Sequence, residues 1–183
     1  MVTAAHDPVG PFPPGADPAA YDRLRRRVLW RMPTGLYLLG SRAGSERNLM
    51  TLNWATQVAT APKLVAVGVE VSALTHRLVA EGGCFSLCML GRADRALVRS
   101  FVKPAAWDEQ ASTLNGHAVR EAVTGAPVLA GAAAWVDCRV RDRLDLGSHT
   151  LFVGEVVDAG EADDPGDDVT VLRMDDTRMN YGG

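Results

Sequence analysis

Thr51, Asn53 and Gln57 place a hydroxyl and two amides on one face of residues 48–63, a stretch that otherwise alternates as a strand does. With period two, Met50, Leu52, Trp54 and Val58 point the other way and are expected to build core. A solvated strand face usually carries Lys or Glu. Hydroxyls and amides instead both donate and accept hydrogen bonds, which suits the edge of an uncharged heterocycle. The pattern leaves a second reading open, an edge strand decorated with Thr, Asn and Gln and no ligand.

Ser72, Thr75, His76 and Arg77 form another set, at an expected helix start. Free backbone N–H groups there, with hydroxyls and cations beside them, make a seat for an anion such as phosphate. The same residues also read as an N-cap, supplied by Ser72, followed by polar surface groups. His149 lies alone at a hairpin mouth within 147–156, and Tyr181 ends a short segment rich in Asp and Arg. No G-x-S-x-G elbow and no paired Cys/His signature is present, which argues against a hydrolase.

The elements that must hold these groups are short. Residues 1–17 are rich in Pro, Gly and Ala and read as an arm, flexible or extended on a partner surface. Asp17 caps an expected helix over 18–32, with Pro18 at its first position, Tyr21, Leu24 and Val28 on one face, and Arg23, Arg25, Arg26 and Arg27 as a solvated face or an ion-paired subunit contact. Strands follow at 36–39, 49–59 and 64–69, with a turn over 41–45. A helix carrying Leu74, Leu78 and Val79 stops at Gly82-Gly83. The next strand, 85–90, puts Phe85, Leu87 and Met89 on one face and Cys84, Ser86 and Cys88 on the other. Residues 93–102 read as a second helix, and 132–144 and 151–157 as a hairpin around Asp145-Leu146-Gly147-Ser148. Residues 169–174 are strand-like. Many short strands without a βαβ rhythm point to a closed or partly closed antiparallel barrel.

Composition narrows the function classes. A chain of 183 residues with 47% hydrophobic content buries roughly 70% of its unfolded surface, enough for one domain. The formal net charge of -3 and pI near 5.8 supply no positive field for nucleic acid or an anionic membrane. No apolar run approaches the ~18 residues of a membrane span and no secretory signal is visible, so a cytoplasmic protein is expected. Cys84, Cys88 and Cys138 are odd in number and lack C-x-x-C spacing; they read as buried thiols, with no metal site.

The joint order of several motifs resembles the flavin reductase-like family, the FMN-binding split barrels. They are Asn48-Leu49-Met50-Thr51-Leu52-Asn53-Trp54, Ala59-Thr60-Ala61-Pro62-Lys63-Leu64-Val65, the helix start 72–78, Gly83-Cys84-Phe85, Gly147-Ser148-His149-Thr150-Leu151-Phe152-Val153-Gly154-Glu155-Val156, and Tyr181-Gly182-Gly183. The likeness runs from about Arg31 to the C-terminus. It implies a mainly β fold over 18–183, a Greek-key antiparallel split barrel with inserted short helices and an N-terminal helix. It also implies a homodimer with flavin at two subunit-interface clefts.

By the same resemblance, Met50, Thr51, Leu52, Asn53, Trp54 and Gln57, with the turn Ala59, Thr60, Ala61 and Pro62, frame the isoalloxazine of FMN, or of FAD. Ser72, Thr75, His76 and Arg77 take the phosphate, and Phe85 and Tyr181 complete the cofactor set. His149 lies beside the ring where nicotinamide enters, as the catalytic residue that positions the nicotinamide amide or ribose. The sequence departs from many reductases at Leu52-Asn53, where Ala-Ser is usual, and at Ala59-Thr60, where a Ser precedes the Pro turn. The Asn53 amide bonds a ring edge as Ser would. The implied activity is hydride transfer from NAD(P)H to flavin N5, with reduced flavin passed to a monooxygenase or another acceptor. The alternative is an FMN-binding electron carrier without reductase activity, and a weaker one is a dimeric structural protein with an empty cleft.

Overall fold

The computed structural model describes residues 8–162 and 170–177. The chain divides into a unit that ends at Pro33 and a larger unit, Thr34–Thr177. The first contains α1, Pro18–Leu29, whose cap is Asp17: the Ala20 N–H donates to its carboxylate at 2.7 Å. The helix stops at Leu29 rather than at 32. Beyond it the Arg31 and Met32 N–H groups reach back only to Val28 and Leu29, in the tighter turns that precede Pro33. No residue of α1 is buried, so Leu24 and Val28 are exposed. Arg25 leaves the solvated set, because its guanidinium pairs with Asp22 at 2.7 Å, donates to the Val9 and Pro11 carbonyls and lies over the Phe12 and Tyr21 rings.

The second unit is mainly β and antiparallel. In chain order it holds β1 Tyr37–Ala43, β2 Glu46–Leu52, β3 Ala55–Thr60, β4 Lys63–Glu70, α2 Leu74–Gly82, β5 Cys84–Met89, β6 Trp107–Asp108, β7 Thr113–Leu114, β8 His117–Glu121, β9 Pro127–Leu129, β10 Ala134–Asp145 and β11 His149–Glu161. One sheet has the order β2-β1-β5-β10-β11-β4-β3, and a small second sheet the order β6-β7-β8-β9. The two edges of the large sheet, β2 and β3, are consecutive in sequence, so the split in the barrel falls at Asn53-Trp54. The strand expected over 49–59 is therefore two strands. Trp54, expected as core, is 41% exposed, and Val58 is 51% exposed on an edge strand with no buried residue.

Alternation sends Leu39, Leu52, Val67, Val69, Phe85, Leu87, Cys138 and Phe152 inward, where α2 adds Val79. Burying side chains of this size stabilises by roughly 1.5 to 3 kcal/mol each before conformational entropy is subtracted. The opposite face of β5 is also covered: the Ser86 hydroxyl donates to the Pro127 carbonyl, and the Thr124 N–H and hydroxyl donate to Asp137 at 2.7 and 2.6 Å. Gly40 permits that layer, since a methyl there would collide with the Pro127 carbonyl oxygen. The strands within 107–129 carry too few residues to show a period, and the sequence pattern does not reveal them. Residues 93–102 are not an α-helix but two 3-10 turns, Arg92–Asp94 and Leu97–Phe101. The Val98 carbonyl, which an α-helix would offer to Val102, accepts the Thr51 hydroxyl at 2.5 Å. Of the strand expected over 169–174, Val169 lies outside the described residues, and the rest makes isolated bridges, Val171 with Gly91 and Arg173 with Gly35.

Candidate functional site

The break between β2 and β3 exposes an indole. The Trp54 carbonyl accepts the Gly68 N–H at 2.9 Å, which holds the link against β4. A methyl at Gly68 would stand 3.4 Å from the Trp54 ring, so the ring lies close over backbone. Its centroid is 4.7 Å from that of His149, tilted by 56°. Asn53, beside it, is half-buried. Polar groups and an aromatic surface thus meet at the seam of the barrel, with small residues beneath them.

His149 is the first residue of β11 and lies opposite Glu70 of β4. Its Nδ1 is 3.0 Å from the Ser148 hydroxyl. The hairpin tip is tied down where the Leu146 N–H donates to the His149 carbonyl at 2.8 Å and the Val71 N–H to the Ser148 carbonyl at 3.0 Å. Gly147, at φ 85°, occupies the left-handed conformation that the turn requires.

At α2 the polar side chains are already partnered. Ser72 does not cap the helix; its hydroxyl donates to Glu70 at 2.8 Å, and Ala73 stands at the cap position with no side-chain bond. Thr75 is fully buried and its hydroxyl accepts the Asn48 amide at 2.8 Å, while the Asn48 carbonyl oxygen accepts the Ala105 N–H at 2.8 Å. Arg77 pairs with Glu46 at 2.7 Å and Glu81 at 3.1 Å, and its pKa is raised, first by the Glu46 hydrogen bond. His76 Nε2 lies 2.8 Å from the Thr150 hydroxyl, with its ring tilted against Phe152. The helix start lacks a side-chain cap, and the Ala73 carbonyl takes the His76 N–H at 3.0 Å.

The other expected residues are dispersed. Thr51 and Leu52 are buried, Met50 packs against the core, and Phe85 is fully buried with Gly154 beneath it, where a methyl would stand 2.6 Å from its ring. Gln57 is exposed, its amide donating to the Ala59 carbonyl at 3.1 Å. Ala59 is half-buried; Thr60, Ala61 and Pro62 are exposed where β3 turns into β4, with a cis Ala61–Pro62 bond. Tyr181 lies outside the described residues. Sequence reasoning missed Asn48, Asp145 and Thr150. For Thr150 a signal existed: alternation from His149 turns it inward.

A cavity of about 440 Å³ lies among Ala20, Arg23, Arg26, Arg27 and Trp30, and one of about 250 Å³ among residues that include Arg47, Trp107 and Arg120; neither is lined by Trp54 or His149. At the Trp54–His149 face the indole is 41% exposed and His149 is half-buried. Burial pushes the Cys88 thiol up to about 11 and Cys138 to about 12, so neither is a ready nucleophile. Among the described residues, no group of three or more His, Cys, Asp or Glu could hold a metal ion.

Known proteins resemble this chain in sequence and fold. A family described as flavin reductase like domain matches residues 29–181. An NADH-dependent FAD reductase of Streptomyces globisporus is 33% identical over 142 residues, covering 75% of this chain and 76% of that protein. The structure of BorF, the flavin reductase component of a bacterial two-component tryptophan halogenase, is 28% identical with a TM-score of 0.68, over 77% of this chain and 88% of that one. Flavoredoxin from Methanosarcina acetivorans is 25% identical with a TM-score of 0.64, over 73% of this chain and 71% of that one.

Proposed function

The chain belongs to the flavin reductase-like family, and we propose that it reduces a flavin with NAD(P)H and hands the reduced flavin to a monooxygenase or another acceptor. The observation that carries this reading is the exposed Trp54–His149 pair over Gly68 at the seam of the barrel. The relatives whose names state NADH-dependent FAD reduction, or a reductase component of a two-component halogenase, support it. A flavin held there would supply, at N5, the two-electron acceptor for a hydride from reduced nicotinamide, the accompanying proton coming from water. The protein's part is to hold two flat ring systems in contact and keep bulk water out, which requires no titrating dyad.

In this reading Trp54 and the backbone at Gly68 form the wall beside the ring, and the Asn53 amide bonds its polar edge. His149 orients the nicotinamide amide or ribose. The phosphate of FMN, or the nearer phosphate of FAD, lies at the uncapped start of α2, with Arg77 close enough to exchange one of its carboxylate partners for it. A second copy completes the cleft, since the indole of the described face is exposed and a two-fold pair is the commonest soluble assembly. The cytoplasm is the proposed compartment, because it supplies reduced nicotinamide and keeps the free, buried cysteines as thiols. No helix among the described residues is long and apolar enough to cross a membrane.

The test is a titration with FMN and FAD followed by steady-state assays with NADH and NADPH. Flavin-dependent nicotinamide oxidation is the expected result. Tight flavin binding without turnover would select the electron-carrier reading, which the likeness to flavoredoxin favours. Sedimentation of a flavin-loaded monomer at micromolar concentration would remove the second copy from the site.

A further inference from the structure

We propose that His76 is a positioning residue, acting through Thr150 and Asp145 to hold the hairpin mouth that presents His149. The inference rests on the reading of His149 as a site residue. Its basis is a hydrogen-bonded chain that crosses from α2 to the hairpin: His76 Nε2 is 2.8 Å from the Thr150 hydroxyl oxygen, and that hydroxyl donates to the Asp145 carboxylate at 3.0 Å. Thr150 is 2% exposed, so water does not replace these bonds cheaply.

The proton count sets the direction of the chain. A threonine hydroxyl has one proton, and an ionised carboxylate has none to give. The Thr150 proton therefore goes to Asp145, and the Thr150 oxygen receives a proton from His76. This assigns the Nε2–H form to His76, and the chain ends on an anion, which strengthens each donor before it.

The geometry shows what the chain holds. Asp145 and Thr150 are register partners across the end of the β10–β11 hairpin. Their bond closes the mouth, and His76 pins it to α2. On the other side of the tip the Val71 N–H donates to the Ser148 carbonyl at 3.0 Å. His149 sits between these attachments. Because side chains alternate along a strand, Thr150 faces inward and His149 outward, toward Trp54 at 4.7 Å. His76 touches Thr150 and the Phe152 ring, so it acts on the mouth through its neighbour.

The test combines spectroscopy with kinetics on the full chain, using Thr150→Val, which keeps the shape but loses the hydroxyl, His76→Leu and His76→Gln. In the wild type, nitrogen shifts should report the Nε2–H form of His76, and the His149 ring protons should be displaced by the Trp54 indole. Thr150→Val and His76→Leu should both lose that displacement and raise KM for the nicotinamide about tenfold, with flavin affinity changed by less than about twofold. The double variant should be no worse than either single one, since both break the same chain. His76→Gln, whose amide can donate from nearly the same place, should recover most of the loss. An Nδ1–H form of His76, or an unmoved His149 signal with unchanged KM in folded Thr150→Val, would overturn the proposal. Equal losses of flavin and nicotinamide affinity without rescue by Gln would also overturn it, leaving His76 as a ligand contact or a structural residue. If wild-type protein oxidised no nicotinamide the functional reading would fall, while the ring displacement would still report whether His76 holds the mouth.

Discussion

The seam at Asn53-Trp54 and the start of α2 carry similar residue types and behave in opposite ways. At the seam the indole faces outward: Trp54 is exposed beside the half-buried Asn53, and among the described residues its ring meets that of His149. At α2 Thr75 answers Asn48, Ser72 answers Glu70, and Arg77 answers Glu46 and Glu81. A polar group with a partner in the fold is poorly placed to recognise a ligand, because binding must first break that partnership. In the proposed reading, the contrast separates the residues that hold the site from those that meet its occupant.

The largest effect that would sharpen this contrast is expected at Asn48. Asn48→Ala removes the partner of the buried Thr75 hydroxyl and leaves the half-buried Ala105 N–H to water. With one buried group left unsatisfied, the loss of stability should be about 1 to 3 kcal/mol by urea unfolding. A loss below about 1 kcal/mol would mean that water replaces these bonds, and that α2 is as open as the seam.

Trp54→Ala should show the reverse signature. A side chain that is 41% exposed gives up only part of a core contact, so unfolding should shift by no more than about 2 kcal/mol, below the ~3 to 5 kcal/mol of a buried Trp→Ala change. Flavin affinity or turnover should fall about tenfold, equivalent to about 1.4 kcal/mol. A large loss of stability with unchanged ligand affinity would return Trp54 to the packing role that its alternation suggests.

Arg77→Ala discriminates within the α2 region. The guanidinium already shares its charge with two carboxylates at the surface. FMN should therefore be weakened more than riboflavin, which has the same ring and no phosphate, but only by about threefold or less. A tenfold FMN-specific loss would show that the guanidinium leaves its carboxylates for the phosphate. Equal loss of both ligands would assign it to the fold.

The smallest effect is expected for Ser72→Ala. Removing a true N-cap costs about 1 kcal/mol. Here Ser72 bonds Glu70 on the surface and caps nothing, so the unfolding midpoint should be nearly unmoved. A shift equivalent to a full cap would indicate that the hydroxyl serves the helix in solution.

Much of the architecture was legible from local rules. Asp17-Pro18 and Gly83 mark helix ends because a cap carboxylate, a missing proline N–H and a left-handed glycine act within one turn of chain. The β10–β11 hairpin was legible because its strands are long enough for alternation to show. The strands of residues 107–129 were not, being too short to carry a period. The 3-10 turns at Arg92–Asp94 and Leu97–Phe101 were misread as a helix because the competing bond, from Thr51 to the Val98 carbonyl, comes from residues far away in sequence. Trp54 was misread because a period of two carried through residues 48–63 crosses the end of one strand and the start of another, which only pairing with different neighbours reveals.

The sequence by itself determined the family and the antiparallel β class, since these follow from residue types, short-range periodicity and the order of motifs along the chain. Only the tertiary structure decided which polar groups are partnered: Thr75 inward, Arg77 between two carboxylates, His76 through Thr150 to Asp145, and Trp54 outward against His149. The physical reason is that hydrogen bonds and ion pairs reach about 3 to 4 Å in space and take no account of separation along the chain.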